Sequence, residues 1–229
     1  MISACIIGLN EADFIALTIR SIRDVVDEIV YVDGGSTDGT QDIVEKESNG
    51  KARIFHRKWV DNWGLQRQYA LQQAKGDYVL QIDADEVLDD DAHSLSKYID
   101  GFYTNWNMEY VHFIQDFRHV DATEEVHVGQ NRLFVNKNVQ YTRRMHELAV
   151  SPDFARPCPL LITSPKIFHL GYLKGIPSVH RKLKKHQAFS KTHTPEYLLK
   201  WHLEHVGGLY PKREYVGPYP WVIREEYGF

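Results

Sequence analysis

Apolar and polar positions follow two rhythms in the first half of the chain. Residues 3–8, 28–32 and 78–82 are short, nearly continuous apolar runs, which predict strands buried on both faces. A shorter run at 53–56 predicts a fourth strand. Between these runs the spacing changes to that of helices. Residues 11–23 carry Phe14, Ile15, Leu17, Ile19 and Ile22 at helical intervals. Residues 40–46 continue as a second helix, after a turn rich in Gly, Ser and Asp. A third helix is predicted from a cap at Asp61 or Asn62 to Ala74, closed by Gly76, and a fourth from about residue 89 to 98. This βαβαβ order predicts an α/β fold with a mostly parallel sheet and right-handed crossovers.

The rhythm breaks near Asn105. Residues 110–120 and 131–135 read as strands interrupted by charge, consistent with a small antiparallel region. Pro152, Pro157, Pro159 and Pro165 predict loops, and residues 166–170 a last strand. Residues 177–191 and 195–205 read as C-terminal helices, the first of them basic, and 211–229 as an extended tail packed on the body. The expected organisation is one domain in two halves, residues 1–104 and 105–229.

Composition narrows the class. The 229 residues are 43% hydrophobic and 25% charged, as in an ordinary globule. A net charge of −4 argues against a general nucleic-acid binder. Cys5 and Cys158 have no metal or redox spacing and make no disulfide framework, which favours a reducing compartment. The first residues lack a basic leader region, and no apolar run approaches the ~20 residues of a membrane span. The expectation is a cytoplasmic protein that can still touch a membrane surface. The basic segment from His180 to His186 could rest on anionic headgroups, although a solvated helix face is the alternative. His202 and His205 have helical spacing but no partner ligands, so zinc is not expected.

The chemistry concentrates where apolar runs stop. The run ending at Ile82 is followed at once by Asp83-Ala84-Asp85-Glu86. Ligands bind at the carboxyl ends of strands in such sheets. Crowded carboxylates there are costly unless neutralised, and Mg²⁺ or Mn²⁺ with diphosphate oxygens would do so. The alternative is an acidic turn into a helix, the role expected of Asp89, Asp90 and Asp91. An EF-hand is excluded, because Val87 and Leu88 stand where its loop needs an oxygen ligand and a glycine. Asp33 ends another apolar run and is followed by Gly34 and Gly35. It could accept from a nucleobase N–H or a ribose hydroxyl, while Asp38 is expected to serve the turn. No Gly-Lys-Ser/Thr ending follows, so this is not a Walker A loop. Arg67 precedes the carboxylate strand and could reach a diphosphate or form a surface salt bridge.

Several segments in order resemble family 2 glycosyltransferases of the GT-A fold: Ile6 to Glu11, Val32 to Asp38, Gly64 to Tyr78, and Ile82 to Glu86. The form of the last, with Trp63-Gly64 upstream, is similar to the lipopolysaccharide-core glucosyltransferase subgroup. Asn131 to Phe134, Arg144 to Glu147 and Lys166 to Tyr172 resemble later segments of that subgroup. The resemblance implies a nucleotide-sugar-binding half over residues 1–104 and an acceptor-side half over 105–229. It implies a nucleoside diphosphate sugar donor held by Leu9, Asn10, Glu11, Asp33, Arg67, Asp83, Ala84 and Asp85. A metal, Mn²⁺ or Mg²⁺, would sit on Asp85, with His169 as a further ligand or a structural residue. Glu147 would be the base toward a glycan or glycolipid acceptor, unless it is a surface glutamate; His146 and residues 116–121 come next. Two other classes remain at this stage, a sugar-nucleotide pyrophosphorylase and a non-catalytic nucleotide-sugar-binding module. The pyrophosphorylase should carry a Gly-rich, basic loop after the first strand, where this chain has Gly8-Leu9-Asn10-Glu11.

Overall fold

A computed structural model describes residues 1–99, 101, 103–114, 116–121, 131–144, 147–154, 160–173 and 212–229. The apolar runs form β1 (Ile2–Gly8), β2 (Glu28–Asp33) and β4 (Tyr78–Gln81), and the shorter run forms β3 (Ala52–His56). These four lie parallel in the order β3-β2-β1-β4. Every residue of β1 and β2 is buried, whereas β3 is only partly buried at the sheet edge.

Helices cover both faces of this parallel block. On one, α1 (Ile15–Ile22) sets Ile15, Ile19 and Ile22 against Ala4, Ile6, Ile29 and Tyr31, with Val44 of α2 (Thr40–Glu47) in the same core. On the other, α3 (Trp63–Gln73) sets Ala70 and Leu71 against Cys5, Ile7, Val30 and Val32. Alternate strand residues feed alternate cores, as the pleat requires. Burial pushes the Cys5 thiol up to about 12, so it packs as an inert small hydrophobe. Asn62 caps α3 by accepting from Leu65 N at 2.9 Å. Asp61 instead takes the Trp59 indole N–H, at 2.8 Å.

Beyond β4 the sheet becomes mixed. β8 (Asn131–Val135) runs antiparallel to β4 and to β6 (Asn105–Ile114), and β7 (Asp116–Asp121) returns antiparallel to β6. β11 (Leu160–His169) lies parallel to β6 and antiparallel to β5 (Glu86–Leu88). A separate hairpin pairs β9 (Gln140–Thr142) with β10 (Leu148–Val150).

Four sequence expectations change. The helix predicted from residue 89 is a 3₁₀-helix at Ala92–Tyr98, because the segment before it is held as β5 by β11. The single strand predicted at 110–120 is two, β6 and β7. Pro165 lies inside β11 rather than in a loop, at a register shift between Ile162 and Ile167, where a missing N–H is tolerated. The tail is not extended: it forms β12 (Lys212–Glu214) on β7 and α4 (Trp221–Tyr227), with Val222 and Ile223 fully buried against the cluster of Phe14 and Leu17. The predicted helices at 177–191 and 195–205, the basic segment from 180, His202, His205, His146 and Cys158 lie outside the described residues. No helix among the described residues is long and apolar enough to cross a membrane.

Candidate active site

The candidate side chains gather at the carboxyl ends of β1, β2 and β4. Asp33 ends β2 and is fully buried. Its Oδ2 accepts from Gly35 N at 2.8 Å, Ser36 N at 3.0 Å and Gln41 Nε2 at 2.9 Å. Oδ1 is also buried, yet it has no hydrogen-bond partner among the described residues. An unsatisfied buried acceptor is costly and invites a ligand N–H or O–H.

The loop after β1 forms the neighbouring wall. Asn10 is left-handed at φ 59°, a conformation Asn tolerates. Its N–H donates to Ser36 Oγ and its Oδ1 accepts from Thr37 N, both at 2.9 Å. Glu11 N donates to Thr40 Oγ1 at 2.9 Å, and Ala12 N to Asp38 Oδ2 at 3.1 Å. Asp38 thus serves the turn, as expected, while Gly39 occupies the cap position of α2 at φ 85°. Gly34 donates to Gly8 O at 2.8 Å, and a Cβ on it would crowd Gly8 O, Leu9 and Trp59. The Leu9-Asn10-Glu11 turn and the Asp33 turn are therefore laced into one unit.

The second cluster follows β4. Asp83 N donates to Glu86 Oε2 at 2.8 Å, Ala84 O accepts from Thr18 Oγ1 at 3.0 Å, and Asp85 O accepts from Leu170 N at 2.8 Å. Asp85 Oδ2 lies 3.7 Å from His169 Nε2, both side chains being almost wholly buried. Ladder pairing of His169 with Glu86 brings them together.

Arg67 joins this cluster to the second half of the chain. It is buried, its Nη2 donates to Asp83 Oδ1 at 2.6 Å, and its Nε donates to Glu147 Oε1. Glu147 is buried too, so it is no surface glutamate. Gly64 makes that contact reachable. A Cβ at Gly64 would collide with Arg143 O, and Trp63 N donates to Arg144 O at 2.9 Å, so the backbone of Arg143 and Arg144 lies against the first turn of α3.

Arg132 is a partner that sequence reasoning left without a role. It donates to Glu86 Oε1 at 3.0 Å, lies 3.6 Å from Asp83 and stacks over Tyr110 at 5.2 Å. Burial alone would raise Asp83, but the Arg67 and Arg132 guanidiniums hold its carboxyl below the usual range. Burial pushes Glu86 up to about 7, with Arg132 opposing and Asp83 adding. Asp116, the next candidate base, is engaged at the β6–β7 turn with His119 Nδ1 at 2.7 Å and Arg118 N at 2.8 Å.

Asp83, Glu86 and Glu147 engage two guanidiniums, Arg67 and Arg132, while Asp85 lies beside the His169 imidazole, so carboxylates outnumber guanidiniums in the cluster. The imbalance suits a divalent cation. No group of three or more His, Cys, Asp or Glu side chains is placed to hold a metal among the described residues. The Asp85–His169 pair nonetheless fits Mn²⁺ or Mg²⁺, which need few protein ligands when substrate phosphates supply the rest.

Residues 3–157 match the family described as Glycosyl transferase family 2, more than half of the chain. An uncharacterized glycosyltransferase of Rickettsia felis is 39% identical over 98 residues, covering 43% of this chain and 33% of that protein. The lipopolysaccharide core biosynthesis glycosyltransferase LpsC of Rhizobium meliloti is 40% identical over 90 residues, covering 38% and 33%. The match thus spans about a third of the length of these relatives. Among solved structures, S. aureus TarS 1-349 in complex with UDP superposes with a TM-score of 0.54 at 14% identity, over 88% of this chain and 71% of that one. Its complex with UDP-GlcNAc gives 0.51 at 15%, over 88% and 72%. At that identity the likeness establishes the α/β fold.

Proposed function

The chain belongs to glycosyl transferase family 2, and on that premise we propose that it moves a sugar from a nucleoside diphosphate sugar to a hydroxyl of a glycan or glycolipid, with inversion. The UDP and UDP-GlcNAc complexes of TarS support uridine as the nucleoside and a UDP-hexose as donor. The lipopolysaccharide core relative supports a glycolipid acceptor, which would bring the protein to an anionic membrane surface.

Asp33 Oδ1 accepts from the nucleobase or ribose, and the turn at Leu9, Asn10 and Glu11 walls the nucleoside. Asp83 and the Ala84 backbone border the sugar. Asp85 and His169 would hold Mn²⁺ or Mg²⁺, which when bound supplies positive charge to the departing diphosphate. Glu147 takes the acceptor proton while the acceptor oxygen bonds to the anomeric carbon and the bond to the diphosphate breaks. Arg67 positions Glu147 and Asp83 at once. One observation carries this reading: a single buried guanidinium ties a carboxylate of the acceptor-side half to a carboxylate at the donor strand end.

The test is UDP release from a panel of UDP-hexoses with Mn²⁺, for parent and Glu147→Gln. Loss of a general base should lower turnover by ~10²–10⁴-fold while UDP and Mn²⁺ affinities hold. Parental turnover in the variant would move the base elsewhere. Release of pyrophosphate, or of nothing, would replace the transferase reading itself.

A further inference from the structure

We propose that Gly171 is a positioning residue that keeps the space between Asp85 Oδ2 and His169 Nε2 open, so that both atoms can face one divalent cation. The inference rests on the metal reading above and names the residue on which the pair's access to an ion depends.

The chain is pinned on both sides of this position. His169 pairs with Glu86 at the end of β11, and Leu170 N donates to Asp85 O at 2.8 Å. Leu170 is fully buried beside Val87 and Phe168, and Leu173 N closes the turn onto Leu170 O at 2.9 Å. Residue 171 is therefore carried over the gap between the carboxylate and the imidazole. A Cβ there would collide with Asp85 Oδ2 and stand 2.8 Å from His169 Nε2 and 2.9 Å from its Cε1. Conformation does not demand glycine at this point. Gly35 and Gly39 sit at φ 106° and 85°, in a region side chains avoid, but Gly171 lies outside it. What excludes a side chain at 171 is the donor pair.

The crowded atoms are the far ends of two side chains. A methyl group can be accommodated if the carboxylate or the imidazole turns away. The fold should survive, and the two donors should no longer converge.

The experiment titrates Mn²⁺ in the presence of UDP, following free Mn²⁺ by electron paramagnetic resonance and binding by calorimetry. Gly171→Ala should weaken Mn²⁺ binding tenfold or more while the metal-free unfolding curve stays in place. In an Asp85→Ala background the same substitution should cost little further, because both act on one carboxylate. Parental Mn²⁺ affinity in Gly171→Ala, with affinity lost in Asp85→Ala, would overturn the inference and leave the metal reading standing. Fully additive losses, or a large loss of metal-free stability, would make Gly171 a packing residue and overturn it too. A parent protein that binds no Mn²⁺ in the presence of UDP would sink the metal reading and the inference together.

Discussion

Helices α1 and α3 cover opposite faces of the same four parallel strands, and they bury different chemistry. α1 buries Ile15, Leu17, Ile19 and Ile22, with only Thr18 and Ser21 as polar company. α3 buries Gln66 and Arg67 beside Ala70 and Leu71. Apolar burial stabilises roughly in proportion to area, so the α1 face should lose stability in small steps. Buried charge behaves otherwise. It is tolerated only while every partner is present, and removing one strands the rest. Both faces carry an apolar core, but the α3 face also carries a buried ion network at the strand ends.

The largest test of this contrast is Arg67→Ala. It leaves Asp83 and Glu147 without their guanidinium and should cost about 3–5 kcal/mol in urea unfolding, with loss of UDP release. Lysine should recover little, since one ammonium cannot reproduce the fork that spans two carboxylates.

The next test is pH. Glu86, buried in the same network, has a folded pKa near 7, above its unfolded value of about 4.5. Below 4.5 both states hold the proton. Between 4.5 and 7 the unfolded chain releases it first, so stability should fall by about 3 kcal/mol across that rise and then level off. Unfolding curves of parent and Glu86→Gln between pH 5 and 8 would check this, the variant lacking that component of the fall.

The smallest effect belongs to α1. Ile19→Val should cost about 1 kcal/mol and leave UDP affinity unchanged. A change in UDP affinity would show that the two faces are less separate than their burial suggests.

What could be read in advance follows from range. Continuous apolar runs and the carboxylates that end them are local signals, so β1, β2, β4, Asp33, Asp83 and Asp85 were all legible. β5 was not, because its three residues become a strand only by pairing with β11. Nor could the role of Arg67 be read, since Glu147 lies 80 positions away and no local spacing links them. Arg132 and Glu86, 46 positions apart, escaped for the same reason. The spatial role of Gly64 and Gly171 could not be read either, because Arg143 and Asp85, which crowd them, come from distant segments. β12 and α4 were hidden by the Pro, Gly and aromatic content of the tail, which reads as irregular until Val222 and Ile223 meet Phe14 and Leu17.

The pairing of β5 with β11 also sets an order of completion during synthesis. Residues leave the ribosome in order, at about 5–20 per second. The turn that frames Asp33 uses residues 8–41, so it can be assembled as soon as β1 and β2 have paired. The strand after Asp85 must wait for residues 167–169, roughly 80 positions later, or about 4–16 seconds at that rate. Through that interval the partners of Asp33, namely Gly35, Ser36 and Gln41, are already present, while Asp85 still lacks His169. The ribosome thus supplies the Asp33 turn complete well before it supplies the Asp85–His169 pair.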